Sequence, residues 1–421
     1  MSLVGFEGAW LLPCAPGTLP IEAGAVVLDR EGRVRGVGPA RELRARFAEA
    51  RWSVEPSILL PGLVNAHTHL ELSALRGQTR SGGGFGPWVS SMMAARARLR
   101  PELDLEAIDA AVSELLRAGT VAVGEVTNTL ASVEALGSAP LLGRVFHEVY
   151  GLSQASAAEM LSAAEAARAR LGSVPQNLSY ALSPHTLYSL HPQSVRELVA
   201  RTRADGARIS LHLSEHVAER AFLRDFSGPF AEYLTSRGVP APDFAPPGLS
   251  PIAYAEQLGV LGPDVICVHL CATQRDELSR VRAAGAPSVL CPRSNLFIEL
   301  KLPPLYDILD VGLLPGLGSD SLASNTTLDV LQEAAALRDR FPEVDPYLLV
   351  QMATHYGALA LGLEHRVGSL REGLAPGLVA IDVSAPVDDP ARHVLRFPTA
   401  PRRVLTRAAM PTSDRPLGAA P

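Results

Sequence analysis

From about residue 58 onward, short apolar runs alternate with longer segments in which Ala, Leu, Glu and Arg recur at helical spacing. The apolar runs fall at 58–67, 120–126, 141–149, 178–185, 208–215, 264–270, 287–292 and 313–320. They have the length and β-branched content of buried strands. The intervening segments, such as LDLEAIDAAVSELLRAG and AEMLSAAEAARARLG, each end on a glycine suited to a helix C-cap. Eight strand–helix units predict an α/β chain with a (β/α)8 TIM barrel over 58–365, and a doubly wound open sheet is the alternative. Residues 1–57 and 366–410 read instead as short strands with turns, including a hairpin around Arg30 to Gly32. Two such ends predict one small composite β-sandwich domain beside the barrel. The Pro-rich stretch 239–251 reads as a loop at the barrel mouth, and 411–421, rich in Pro, Ala and Gly, as a disordered tail.

The polar residues that interrupt these runs are not scattered. His67 and His69 sit one residue apart at the end of the first run, and strand geometry turns positions i and i+2 to the same side. Alone, such a pair is more often structural than a metal site. His185, His212 and His269 end the fourth, fifth and sixth runs, Glu215 follows His212 by three residues, and Asp320 ends the eighth. Barrel enzymes carry their sites at these C-terminal strand ends, and neutral imidazoles there are good ligands for zinc or iron. His185 could equally hydrogen-bond a rim loop. Cys267 and Cys271 flank His269 but read as small apolar residues, and His191, His216, His355, His365 and His393 are assigned no ligand role. The SGGGFG segment at 81–86 lacks phosphate-loop spacing and reads as a flexible substrate loop, with Trp88 as a stacking wall.

Composition narrows the classes of partner. The 421 residues are 47% hydrophobic and 19% charged, with a net charge of -6, which argues against nucleic acid. No run reaches the length of a membrane span, and no basic export n-region precedes Arg30, so a cytoplasmic protein acting on a small molecule is expected. Further copies of the chain, in a homo-oligomer, are the one protein partner considered. Four cysteines, Cys14, Cys267, Cys271 and Cys291, are too few for a disulfide scaffold. Lys301 is the single lysine.

Taken as a set, PGLVNAHTHLE, SLHLSE, VICVHL with CPRSN downstream, and GLGSDSLASN resemble the amidohydrolase superfamily, in its metal-dependent deaminase and chlorohydrolase branch. GSLREGLAPGLVAID resembles that branch's returning strand, although the usual lysine and aspartate are missing from Leu374 to Leu378. The resemblance implies that His67, His69, His212 and Asp320 bind one divalent metal ion, zinc or iron. It implies that His269 hydrogen-bonds the metal-bound water, that Glu215 shuttles protons and that His185 contacts substrate. Binuclear members use a carboxylated lysine on the fourth strand; this chain has none there, which implies a mononuclear site.

Within that branch, HLELS with Glu71 and the GGGFGPW segment most resemble the aminofutalosine deaminase subgroup. This implies hydrolytic release of ammonia from a 6-aminopurine nucleoside in an alternative menaquinone pathway. Glu71 reads either as a substrate contact or as a solvated loop residue. The alternatives are another leaving group, as in chlorohydrolases, or another ring, such as guanine or cytosine. A non-catalytic scaffold would be expected to lack a ligand or the glutamate, and none is missing.

Overall fold

The structure, a computed structural model, describes residues 3–239, 242–408 and 410; the tail expected at 411–421 lies outside the described residues. The N-terminal strands are β1 (Val4–Leu11), β2 (Ile21–Glu22), β3 (Gly24–Leu28), β4 (Val34–Pro39) and β5 (Arg51–Pro61). Eight strands follow: β6 (Leu63–Thr68), β7 (Thr120–Thr127), β8 (Leu142–Val149), β9 (Leu178–Pro184), β10 (Ile209–Leu213), β11 (Val265–His269), β12 (Ser288–Leu290) and β13 (Gly316–Leu317). The chain closes with β14 (Pro376–Asp382) and β15 (Arg402–Ala408).

Strands from both ends join one seven-stranded sheet in the order β15-β14-β5-β1-β3-β4, with β2 paired to β1. Hydrogen bonding thus joins both chain ends in the small β domain expected. The expected hairpin is β3–β4, paired antiparallel. Leu11, Val26, Leu59, Leu378 and Ala380 form one of its cores. Ala25 and Val27 point the other way, against Leu43 of the helix Ala40–Arg46, as period-2 alternation requires.

The apolar run at 58–67 is two strands and not one. Ser57 to Pro61 pair antiparallel with β14 in the end domain, whereas β6 pairs with β7. The chain crosses between the sheets at Gly62, where an added Cβ would lie 2.2 Å from Val121 Cγ1. Both halves are equally buried, so hydrophobicity carries no mark of the crossing.

The barrel consists of two four-stranded parallel sheets, β6-β7-β8-β9 and β10-β11-β12-β13. Single bridges close it, Thr68 to Asp320 on one side and Thr186 to His212 on the other. Their backbone bonds run from Asp320 N to the His67 carbonyl (3.1 Å) and from His212 N to the His185 carbonyl (3.2 Å). The strands are buried on both faces, β7 and β11 along their whole length, as parallel barrel strands are. The eighth strand is shorter than the run at 313–320 because a side chain replaces its ladder. Asn65 accepts from Ser319 N (3.1 Å) and donates to Ser319 Oγ (2.7 Å) and the Leu328 carbonyl (3.2 Å). Among the described residues no helix is long and apolar enough to cross a membrane.

Gly318 permits the approach of the last strand to the first, since a Cβ there would lie 2.6 Å from His67 Cβ. Gly318→Ala is therefore expected to lower stability by about 1–3 kcal/mol, the cost of overpacking. Gly86→Ala, in an open helical position with nothing within 4 Å, is expected to leave it unchanged or slightly higher. Denaturant midpoints of the two variants check this contrast.

Candidate metal centre and proton-transfer groups

Both closing bridges bring site residues together. His67 lies in β6, and His69 follows it at the start of the short 3-10 helix Leu70–Leu75. His212 lies in β10, His269 ends β11, and Asp320 follows β13. Ser214, His269, Leu270 and Asp320 all have positive φ, between 51° and 77°. Left-handed backbone at non-glycine residues costs about 1–3 kcal/mol each and is retained where it aims a functional side chain. Here it breaks the strands at the residues that must face the barrel mouth.

His69 Nε2 lies 3.2 Å from His212 Nε2 and 3.5 Å from Asp320 Oδ1, and His67 Nε2 lies 3.9 Å from the same oxygen. A tetrahedral ion with bonds of about 2.0–2.1 Å to nitrogen and oxygen separates its ligand atoms by roughly 3.3 Å. Two of these three edges lie close to that value and the third, from His67 to Asp320, is longer. Neither ring nitrogen of His67 has a hydrogen-bond partner although the residue is fully buried, a costly state for a polar ring without a ligand. Burial, followed by the neighbouring imidazoles, holds its pKa well below the usual histidine range, so it is neutral, the form a metal ion would take.

The remaining atoms of these residues are held so that the ligand atoms stay free. His212 Nδ1 faces Glu148 Oε1 and the His185 carbonyl, each at 3.1 Å. With Nδ1 committed to these acceptors, Nε2 is the atom left for an ion, which would displace the second ring proton as it bound. Burial acts to raise Glu148, but His185 and His212 bring it down to about 2; the same carboxylate overrides burial at His212 and lifts it to about 9. Asp320 Oδ2 accepts from Ser294 Oγ and Ser324 Oγ, leaving Oδ1 toward the histidines. Three imidazoles and one carboxylate suit a divalent ion of the zinc or iron type.

Beside this set lies a candidate proton-transfer group. Glu215, His269 and Asp320 approach one another within 4.8 Å, and Glu215 Oε2 is 3.7 Å from His269 Nε2, which has no hydrogen-bond partner. Burial would raise Glu215, but His216 and His269 hold it far below the usual carboxylate range, so it rests ionised. His216, given no role above, is 2% exposed, with Nε2 3.2 Å from Glu215 Oε2 and Nδ1 2.8 Å from Glu299 Oε1.

The expected substrate residues divide. His185 is half-buried beside His212 at 5.1 Å between ring centroids, with Nδ1 2.9 Å from Ser189 Oγ; burial lowers it to about 4. Glu71 is only 4% exposed, which overturns the solvated alternative. It accepts from Asn128 N, Thr129 N and the hydroxyls of Thr127 and Thr129, at 2.7–3.1 Å. Trp88, half-buried, donates from Nε1 to the Ala323 carbonyl at 3.0 Å. The glycine-rich segment is not the free loop expected at 81–86. Gly82 N and Gly84 N donate to the carbonyls of Phe297 and Ile298, and a helix begins at Phe85. Cys267 is a buried thiol pushed up to about 12 by burial, in keeping with an apolar role. Glu148 could have been found by the strand-end rule used for the histidines, whereas Glu299, at the end of the helix Pro292–Glu299, carries no such signal.

Comparison with known proteins agrees with this arrangement. Residues 58–410 match the model of the amidohydrolase family. The chain is 30% identical over 358 residues to an aminodeoxyfutalosine deaminase of Deinococcus radiodurans, covering 83% of this chain and 84% of that one. It is 27% identical over 350 residues to a 5-methylthioadenosine/S-adenosylhomocysteine deaminase of Haloarcula marismortui, covering 80% and 76%. The crystal structure of Helicobacter pylori aminofutalosine deaminase with methylthio-coformycin superposes with a TM-score of 0.83 at 22% identity, covering 98% of this chain and all of that one. With a barrel fold and a family match over most of its length, the chain belongs to the amidohydrolase family.

Proposed function

We propose that this protein is a metal-dependent hydrolytic deaminase that releases ammonia from a 6-aminopurine nucleoside, aminofutalosine or its deoxy form first among them. The observation that carries this reading is the placement of one ionised, partly buried carboxylate, Glu215, beside His269 and Asp320 at the rim of a three-histidine donor set. The names of the relatives at 27–30% identity support the same substrate class. The resemblance to the aminofutalosine subgroup implies a place in menaquinone synthesis for such a substrate.

His67, His69, His212 and Asp320 would hold the ion, and the chemistry it supplies is Lewis acidity that lowers the pKa of a water to about 7. The chain's own groups then divide the work. Asp320 and His269 orient the attacking water, His269 through the unpartnered Nε2. Glu215 begins as the carboxylate, so its first act is to accept a proton; it next delivers that proton to the ring nitrogen beside the amino-bearing carbon. A C–O bond forms at that carbon and the C–N bond breaks as the amine takes the second proton and leaves as ammonia. His185 and Trp88 are assigned to the substrate's ring and substituent. Glu71 serves that side by fixing the turn at 127–129.

Ammonia release from aminofutalosine, methylthioadenosine, adenosine, guanine and cytosine by the metal-loaded protein tests the proposal, with turnover of the purine nucleosides expected. Turnover of a chlorinated triazine and of none of these would overturn it. Glu215→Gln is expected to lower kcat by about 10²- to 10⁴-fold, the worth of a positioned proton carrier, with bound metal unchanged. Glu148→Gln, which removes the charge behind His212 Nδ1, is expected to weaken metal binding by about 10–100-fold. Competition with a zinc chelator measures that loss.

A further inference from the structure

Glu215 is the mobile-proton group of the reaction proposed above, yet its own strand has ended before it: β10 stops at Leu213, and Ser214 turns the chain with φ 54°. A carboxylate on a turn needs an outside restraint to keep one rotamer. Glu215 N donates to Glu219 Oε2 (3.1 Å), which fixes the backbone and leaves the side chain free. The side chain meets His216 Nε2 at 3.2 Å.

His216 is in turn held from three directions. Its Nδ1 lies 2.8 Å from Glu299 Oε1, at the end of the helix Pro292–Glu299. Phe85 packs on its ring at 5.1 Å between centroids, and Phe230 lies edge-on at 5.9 Å. The carbonyls of Phe297 and Ile298, just before Glu299, accept from Gly82 and Gly84, so the glycine-rich segment and the helix end that carries Glu299 are docked together. The imidazole therefore spans a gap between the strand β10 turn and a helix from another unit of the barrel. Nδ1 is hydrogen-bonded to Glu299 and Nε2 faces Glu215 Oε2 as an ion pair, and a charge-assisted bond in a 2%-exposed site is strong and directional.

We propose that His216, anchored by Glu299, is a positioning residue that fixes the Glu215 carboxylate toward the reaction centre. It touches neither substrate nor the reacting atoms; it acts through Glu215. The inference rests on the proton-carrying role given to Glu215 above. It implies that the dyad and the docked glycine segment set the catalytic rate together, while substrate affinity is set elsewhere.

The test compares His216→Ala, His216→Gln and Glu299→Gln in the zinc-loaded protein. His216→Ala is expected to lower kcat about 10- to 100-fold, with KM, zinc content and the denaturation midpoint near wild type. His216→Gln, which keeps one donor toward Glu215, is expected to recover at least a third of that loss on a logarithmic scale. Glu299→Gln is expected to lower kcat less than His216→Ala. Independently of any substrate, ¹⁵N-histidine NMR of the zinc-loaded wild type should show His216 with a proton on both ring nitrogens, the Nδ1 resonance shifting in Glu299→Gln. A His216→Ala kcat within threefold of wild type, or a loss matched by lost zinc or lost stability, overturns the proposal. So does a His216 ring with one unprotonated nitrogen. Absence of deaminase activity in the wild type removes the proton-carrying reading, while the NMR result still decides whether the dyad exists.

Discussion

Two backbone hydrogen bonds hold the rest of this structure in place: Asp320 N to the His67 carbonyl and His212 N to the His185 carbonyl. Each joins one half of the barrel to the other where the sheet ladders have otherwise lapsed. All four residues belong to the candidate site or touch it. The close approach needed there explains Gly318, against His67, and the use of the Asn65 side chain in place of a strand ladder. Barrel closure and site assembly are thus one structural event.

Charge is arranged around those seams in a consistent order. Buried imidazoles occupy the centre, and carboxylates stand behind them: the buried Glu148 behind His212, the buried Asp320 among the histidines, and the partly buried Glu299 behind His216. An unpaired buried charge is expensive, whereas a hydrogen-bonded pair is tolerated and becomes directional in a low dielectric. The hydroxyls of Ser294 and Ser324 finish the pattern by occupying the Asp320 oxygen that faces away from the histidines. His212 and Asp320 thereby each have one atom committed outward and one turned toward the other histidines.

Much of this was legible in the residues, for physical reasons that also mark where legibility ended. Strand period turned His67 and His69 to one side, and recurring polar residues at the ends of apolar runs exposed His212, His269 and Asp320, because barrel strands are apolar until they leave the sheet. The crossing at Gly62 was hidden because both sheets bury their strands alike. His216 was passed over because its partner lies 83 positions away on a helix, a pairing with no local signal. Glu71 was open between two readings, and its third alternative, as the acceptor for a neighbouring turn, depends on where β7 ends.

The wide separation of the donors along the chain has a consequence for how the protein matures. Thr68 and Asp320, whose bridge closes one seam, are 252 positions apart. Bringing such distant segments together is slow relative to local helix formation, since the chain entropy of a long closure comes before its reward. A nascent chain that has emerged only through β10 presents three imidazoles on an open edge and no carboxylate from the last strand. The full candidate donor set, Asp320 included, therefore exists only once the last strand has met the first.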